Sequence, residues 1–132
     1  MEHRYWWHEI LRALRYYDCN GLIVGVMSED NHNVDMFDQW GSTLLMRAAC
    51  HGRLKSIETL SRYGADKDAV NALGNSALMI AAGNNKYHTV SLLLELGADP
   101  FIVNNNGQTA LTIASECGHY EIMNVLIKAM EK

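Results

Sequence analysis

The chain has 132 residues, of which 48% are hydrophobic and 20% charged, as is usual for a soluble globular domain. This length suits one hydrophobic core or one short repeat array, but not two full domains. Its 15 acidic and 11 basic residues give a net charge of -4, which does not suit the binding of a phosphate backbone. The longest apolar stretch, residues 21–27, is too short to span a membrane. We therefore expect neither a nucleic-acid partner nor a membrane partner.

The N-terminus and the cysteines indicate where the protein resides. The first ten residues contain acids, histidines and large aromatics, and they lack the apolar core of a signal peptide. Cys19, Cys50 and Cys117 cannot all be paired, and none lies in a CxxC motif. A disulfide framework is not expected, so the sequence predicts a reducing intracellular compartment, most simply the cytoplasm.

The first predicted element is a helix over residues 4–17. Five apolar residues recur at helical spacing along one of its faces: Trp6, Ile10, Ala13, Leu14 and Tyr17. Trp7 follows Trp6 directly, and two consecutive residues cannot both face the core from one helix. One of the two tryptophans is therefore predicted to be exposed or packed at an edge.

The next segment is acidic. No Lys or Arg occurs between Tyr16 and Met46, whereas five acidic residues do: Asp18, Glu29, Asp30, Asp35 and Asp38. A partner with a basic patch would be steered toward this end of the protein. The alternative interpretation is a solvated acidic face that keeps the protein monomeric.

From residue 41 onward the chain repeats itself at an offset of 33 residues. Three segments align: Gly41–Ala49, Gly74–Ala82 and Gly107–Ser115. In each, a hydroxyl residue (Thr43, Ser76 or Thr109) precedes an apolar run, as an N-cap precedes a helix. Paired alanines at 48–49 and 81–82 predict two helices in close approach, because a larger side chain would overpack there.

A second helix is predicted in each unit. Its core stripe consists of apolar residues that recur with helical periodicity: Ile57, Leu60, Val90, Leu93, Leu94, Val125 and Leu126. A Gly-Ala-Asp sequence follows it at residues 64–66 and again at 97–99. The period and the two helices per unit are typical of a solenoid.

This pattern resembles the ankyrin repeat, whose signature T-P-L-H-x-A precedes two antiparallel helices and a Gly-Ala-Asp turn. The signature aligns with Thr43–Ala48, Ser76–Ala81 and Thr109–Ala114, without its proline and histidine. The resemblance covers about residues 31–132. It implies an all-α fold, a solenoid of stacked helix-turn-helix units with β-hairpin-like loops.

The chain is predicted to form one domain of about four repeats. Residues 1–37 are expected to be a degenerate N-terminal capping repeat, followed by repeats at 38–70, 71–103 and 104–132. Counting back 33 residues places Asn31 in the column of Gly64, Val24 in that of Ile57 and Met27 in that of Leu60. The register fails at residue 21, which indicates an insertion or deletion of one residue.

The resemblance implies a non-catalytic module that binds another protein through a concave face. That face comprises the hairpin tips and the exposed side of each first helix. The matching positions in the three repeats are Phe37, Gln39, Trp40, Ser42, Cys50 and His51; Val70, Ala72, Leu73, Asn75, Gly83 and Asn84; and Val103, Asn105, Asn106, Gln108, Glu116 and Cys117. Trp40 is either an exposed hot-spot residue or packs on the neighbouring hairpin.

The alternative to a binding module is a thiol-dependent enzyme or a redox-sensitive protein that uses Cys50 or Cys117. Cys50 and His51 are adjacent in sequence, however, and adjacent residues do not face each other on a helix. The six histidines are too dispersed to converge on one metal ion, so neither a metal nor another cofactor is expected. His119, in a column that is often His in ankyrin repeats, is expected to have a structural role.

A monomer is predicted, but the last helix leaves a dimer open. That helix has an apolar sequence around Ile122, Leu126 and Ile127, whereas a capping repeat normally presents a polar outer face. An exposed apolar end would indicate either pairing with a second copy or a further repeat beyond this sequence.

Overall fold

The computed structural model describes residues 4–28 and 33–132, and this part of the chain forms eight helices. Their bounds are α1 Arg4–Ala13, α2 Asn20–Met27, α3 Leu44–His51, α4 Leu54–Arg62, α5 Ala77–Gly83, α6 Tyr87–Glu95, α7 Ala110–Cys117 and α8 Tyr120–Met130. The odd-numbered helices stack in one layer, and the even-numbered helices stack in a second layer behind it. The all-α solenoid predicted from the repeats is confirmed. None of these helices has the length and apolar character needed to cross a bilayer.

The predicted N-caps are present in all three repeats. The hydroxyl oxygens of Thr43, Ser76 and Thr109 each accept a hydrogen bond from the backbone N–H three residues further on, at 3.2–3.3 Å. Each bond satisfies one of the N–H groups that the start of a helix leaves without a partner. The hydroxyl columns therefore fix where α3, α5 and α7 begin.

The hydrophobic core lies between the two helix layers. The alanine pairs at 48–49 and 81–82 are fully buried where α3 and α5 meet, as their small size predicts. Larger side chains from the second helices fill the space behind them: Ile57, Leu60, Val90, Leu93, Ile122 and Leu126.

Each hairpin is organised by one side chain. Oδ1 of Asp38, Asn71 and Asn104 accepts two backbone N–H groups, from the residues two and four positions on, at 2.9–3.0 Å. Isolated bridges Phe37–Thr43 and Val70–Ser76 close the first two loops in the manner of a β-hairpin.

Two of the hairpin glycines are also sites of close approach between repeats. Gly41 and Gly74 have φ angles of 79° and 83°, which suit glycine. A Cβ at Gly74 would lie 2.7 Å from Oδ1 of Asn105, and one at Gly41 would lie 3.1 Å from the backbone nitrogen of Ala72. At Gly107 a Cβ would meet nothing within 4 Å.

An aspartate in each of two loops links neighbouring repeats. Oδ1 of Asp35 accepts the N–H of Asp66, and Oδ1 of Asp68 accepts the N–H of Asp99, both at 2.9 Å. Phe101 stands in the same column and has no carboxylate. These bonds tie each loop to the next along the array.

The structure corrects the N-terminal helix. It ends at Ala13 rather than at residue 17, because the N–H groups of Arg15 and Tyr16 bond to carbonyls three residues back, at Arg12 and Ala13, instead of four. Trp7 is the core tryptophan, with 3% of its surface exposed, whereas Trp6 is half-buried and Tyr17 is exposed. The prediction that the two tryptophans differ is confirmed. Trp6 packs against the edge of the core, and the predicted apolar face was wrong in including Tyr17.

The register of the second helix confirms the one-residue difference. Helix α2 begins at residue 20 and α4 at residue 54, an offset of 54 - 20 = 34. Ile23 is therefore the buried counterpart of Ile57, whereas Val24 is 40% exposed. The assignment of Val24 to the Ile57 column, and with it that of Met27 to the Leu60 column, was wrong. Asn31 lies outside the described residues.

Candidate functional site

The hairpin tips carry two rows of exposed side chains. Phe37, Val70 and Val103 form one row, and Trp40, Leu73 and Asn106 form the other. Trp40 is 62% exposed and Leu73 65% exposed, so Trp40 projects from its hairpin instead of packing on a neighbour. Exposed apolar side chains in contiguous rows are typical of a surface that contacts another protein.

The tips are held rigidly against one another. The N–H of Ala72 donates to the Trp40 carbonyl at 2.9 Å, and the N–H of Asn105 donates to the Leu73 carbonyl at 3.1 Å. An open groove of about 540 Å³ lies between the first two hairpins and is lined partly by Phe37. A rigid surface loses little conformational entropy when a partner binds.

A smaller groove of about 350 Å³ lies where the first hairpin meets α1. It is lined by Trp7, His8, Met36, Phe37, Asp38 and Gln39. Phe37 and Gln39 were expected at the binding surface. His8 and Met36 were not, because they lie outside the regular repeats and no periodic signal marks them.

Three of the predicted contact residues form hydrogen bonds within the hairpins: Ser42, Asn75 and Gln108. Nδ2 of Asn104 donates to Oδ1 of Asn75 at 2.8 Å and to Oε1 of Gln108 at 3.0 Å. Gln108 also donates to Glu116, at 2.6 Å. Ser42 is half-buried, and its carbonyl accepts the N–H of Asp38. These residues shape the hairpins, whereas Gln39, Trp40, Leu73 and Asn106 are exposed on them.

The helical part of the surface is more enclosed. Cys50 and His51 are half-buried at the end of α3. Asn84 is exposed and donates from Nδ2 to the Ile80 carbonyl at 2.8 Å. Cys117 is exposed at the end of α7, in a different repeat from Cys50, and all three cysteines are free thiols.

His51 lies in a cluster of cations that sequence analysis did not identify. Burial lowers its pKa from the ordinary value, and the charges of Arg47, Arg53, Arg15 and Lys86 lower it further. These residues come from four separate parts of the chain. Only folding brings them together, so no local charge run marks the cluster.

The acidic residues of the N-terminal part are largely engaged in the fold. Asp18 accepts the N–H and the hydroxyl of Ser56, each at 2.9 Å. Asp35 accepts the N–H of Asp66, and Asp38 organises the first hairpin. Glu29 and Asp30 lie outside the described residues. Asp18 and Asp35 thus stabilise joints between elements, a role that sequence analysis missed, whereas Asp38 stabilises its own hairpin.

His119 has the structural contact that its column suggests. Its Nδ1 lies 2.8 Å from the Ala82 carbonyl of the preceding repeat. Within residues 4–28 and 33–132, no group of three His, Cys, Asp or Glu side chains is placed to hold a metal ion.

Comparison with known proteins identifies the family. A family model for ankyrin repeats, in three copies, matches residues 45–132, which is more than half of the chain. The chain therefore belongs to the ankyrin repeat family, whose members are generally protein-interaction modules and typically non-catalytic. No curated protein matches it.

Proposed function

We propose that the protein is a non-catalytic adaptor, inhibitor or effector that binds a partner protein through its concave face. In this proposal residues 1–37 form a capping repeat, and the repeats at 38–70, 71–103 and 104–132 present the binding surface. The observation that carries the proposal is the set of exposed apolar side chains on the hairpin tips, with Trp40 at 62% exposure: Phe37, Trp40, Val70, Leu73 and Val103. Exposed tryptophans in such rows are frequent hot spots.

Two finer points are part of the proposal. An intracellular, reducing location agrees with the three free thiols. A basic patch on the partner stays a prediction. Asp18, Asp35 and Asp38 supply three carboxylates to this end of the fold, and the field of such groups would steer a cationic partner.

Truncation of Trp40 tests the proposed surface. We expect Trp40→Ala to weaken binding of the partner by about 2 kcal/mol, or about 30-fold in Kd, because the large ring loses its contact area. Affinity capture with wild type and Trp40→Ala, followed by mass spectrometry, identifies proteins that depend on this residue. Calorimetric titration of the purified partner then gives both dissociation constants.

Tyr120→Ala is the matched control. Tyr120 is an aromatic residue that is 71% exposed on α8, away from the hairpins, so its removal should leave the Kd unchanged. The combined variant with Gln39, Trp40 and His51 changed to Ala should bind still more weakly than Trp40→Ala. A genuine partner that binds this triple variant as tightly as wild type would show that the concave-face assignment is wrong.

A further inference from the structure

Four cations converge on the end of α3 from four parts of the fold. Arg15 follows α1, Arg47 lies on α3, Arg53 is the N-cap residue of α4 and Lys86 is that of α6. His51, the last residue of α3, lies within the field of all four. The cluster joins the capping repeat to the first two regular repeats.

Some of these cations are held in place by the fold. Arg53 donates from Nε to the Leu14 carbonyl and from Nη2 to the Arg15 carbonyl, both at 2.7 Å. Lys86 lies across the α3–α4 turn, where a Cβ on Gly52 would be 3.2 Å from its Cδ. The guanidinium of Arg53 is therefore positioned before any ligand arrives.

Within the part of the chain that the structure describes, one of the four cations has a carboxylate in ion-pair contact. Arg47 pairs with Asp38 at 3.7 Å, but among the described residues no carboxylate forms an ion pair with Arg15, Arg53 or Lys86. Among the residues that the structure describes, neither the buried Nε of Arg47 nor the buried Nε2 of His51 has a hydrogen-bond partner. Mutual repulsion and unpaired buried polar atoms both raise the free energy of the free protein. An anion placed among the cations would relieve their mutual repulsion.

We propose that this cluster binds an anionic group of the partner protein, either a carboxylate or a phosphorylated side chain. The inference rests on the proposed binding function, because it specifies the chemistry of a partner on the same concave face. Helix α3 has eight residues, so its far end at His51 lies about 12 Å from the first hairpin, which carries Trp40. The partner would then carry a large apolar group and an acidic group at that separation. This acidic group of the partner would be separate from the basic patch that is predicted to face the N-terminal carboxylates.

Anion titration of the free protein tests the cluster without the partner. The full chain, labelled with ¹⁵N, is titrated with inorganic phosphate while sodium chloride holds the ionic strength constant. We expect saturable shifts of the amide signals of His51, Gly52 and Lys86. An acetylated tri-glutamate peptide is the second probe. Tighter binding of phosphate would indicate a phosphorylated group, and tighter binding of the peptide would indicate carboxylates.

Neutral substitutions show whether the cations are responsible. Lys86→Gln, and separately Arg15→Gln at an exposed position, should each weaken binding of the better probe by about tenfold. Lys128→Gln on α8 removes one positive charge elsewhere and should not weaken it. The absence of saturable shifts with both probes would overturn the proposal, as would equal losses in all three variants.

These outcomes are independent of the test of the proposed function. If phosphate binding depends on Lys86 but partner binding does not depend on Trp40, the anion site is supported and the hairpin surface is rejected. The reverse pair of results would retain the hairpin surface and reject the cluster.

Discussion

At the scale of single residues, His51 combines the two effects that disfavour a positive charge on an imidazole. Its ring is partly buried, and the charges of Arg47, Arg53, Arg15 and Lys86 act on it. Its pKa in the folded protein is therefore below the ordinary value of 6.5. Between the folded and unfolded pKa values the unfolded chain binds more protons, so the free energy of unfolding rises with pH in that window.

Acidification should accordingly destabilise the protein in part through His51. Between about pH 7.5 and about pH 5.5, stability is lost as the pH falls through and below the pKa of an unfolded histidine. His51→Asn, which introduces the residue found at Asn84 in the same column, should reduce this loss. Urea unfolding of both proteins at the two pH values measures the difference. Identical pH dependence in both would contradict the role of His51, because the remaining histidines are common to the two proteins.

At the scale of elements, polar contacts fasten the N-terminal helix pair to the first regular repeat. Asp18 accepts two hydrogen bonds from Ser56, and the hydroxyl oxygen of Ser56 in turn accepts the N–H of Cys19. Arg53 binds the carbonyls that follow α1. All of these groups lie where α2 begins and α1 ends, so the two helices are fixed to α4 at one joint.

Asp18→Ala should lower the free energy of unfolding by about 2 kcal/mol, since it removes charged hydrogen bonds and leaves the Ser56 N–H without its acceptor. The comparison is Asp99→Ala, which removes only an exposed bond within one turn, to the N–H of Phe101. Its expected cost is below about 1 kcal/mol. Urea unfolding of both variants gives the two values. Equal costs would show that the joint does not hold the capping repeat.

The same elements show how far the sequence can predict the structure. Thr43, Ser76 and Thr109 act on backbone groups three residues away, so a local pattern was enough to place α3, α5 and α7. The end of α1 could not be placed in this way, because Tyr17 matched the helical spacing although the N–H groups of Arg15 and Tyr16 already bond three residues back instead of four. The same distinction between local and long-range signals applies to the candidate binding surface. The repeat period located Trp40 and Leu73, whereas the cations around His51 meet only in three dimensions.

At the scale of the whole molecule, the outer face of the last repeat differs from the inner ones. Met46, Met79, Ala49 and Ala82 are buried between repeats, whereas Thr112 and Ser115 occupy the same columns in α7 and are exposed. Helix α8 nevertheless leaves Ile127 38% exposed. The outer face of the last repeat is therefore polar on α7, at Thr112 and Ser115, although the apolar sequence of α8 had suggested an exposed apolar end.

The protein should therefore be monomeric at micromolar concentration, with light scattering after gel filtration giving its mass. The double variant Thr112→Met with Ser115→Ala copies the inner columns and should associate increasingly with concentration, because it makes the outer face of α7 apolar. Asn124→Met, placed in a groove beside Tyr87 and Lys128, should remain monomeric. A wild-type dimer would contradict the capping role of Thr112 and Ser115.

The close approach of successive hairpins also makes tolerance to mutation uneven along the array. At Gly41 and Gly74 a side chain meets both an unfavourable backbone conformation and the backbone of the following hairpin. At Gly107 the conformation is similar but the space is open, so asparagine, which enters the left-handed region more readily than most residues, would be accommodated. In a set of homologous sequences, Gly41 and Gly74 should be replaced least often and Gly107 most often.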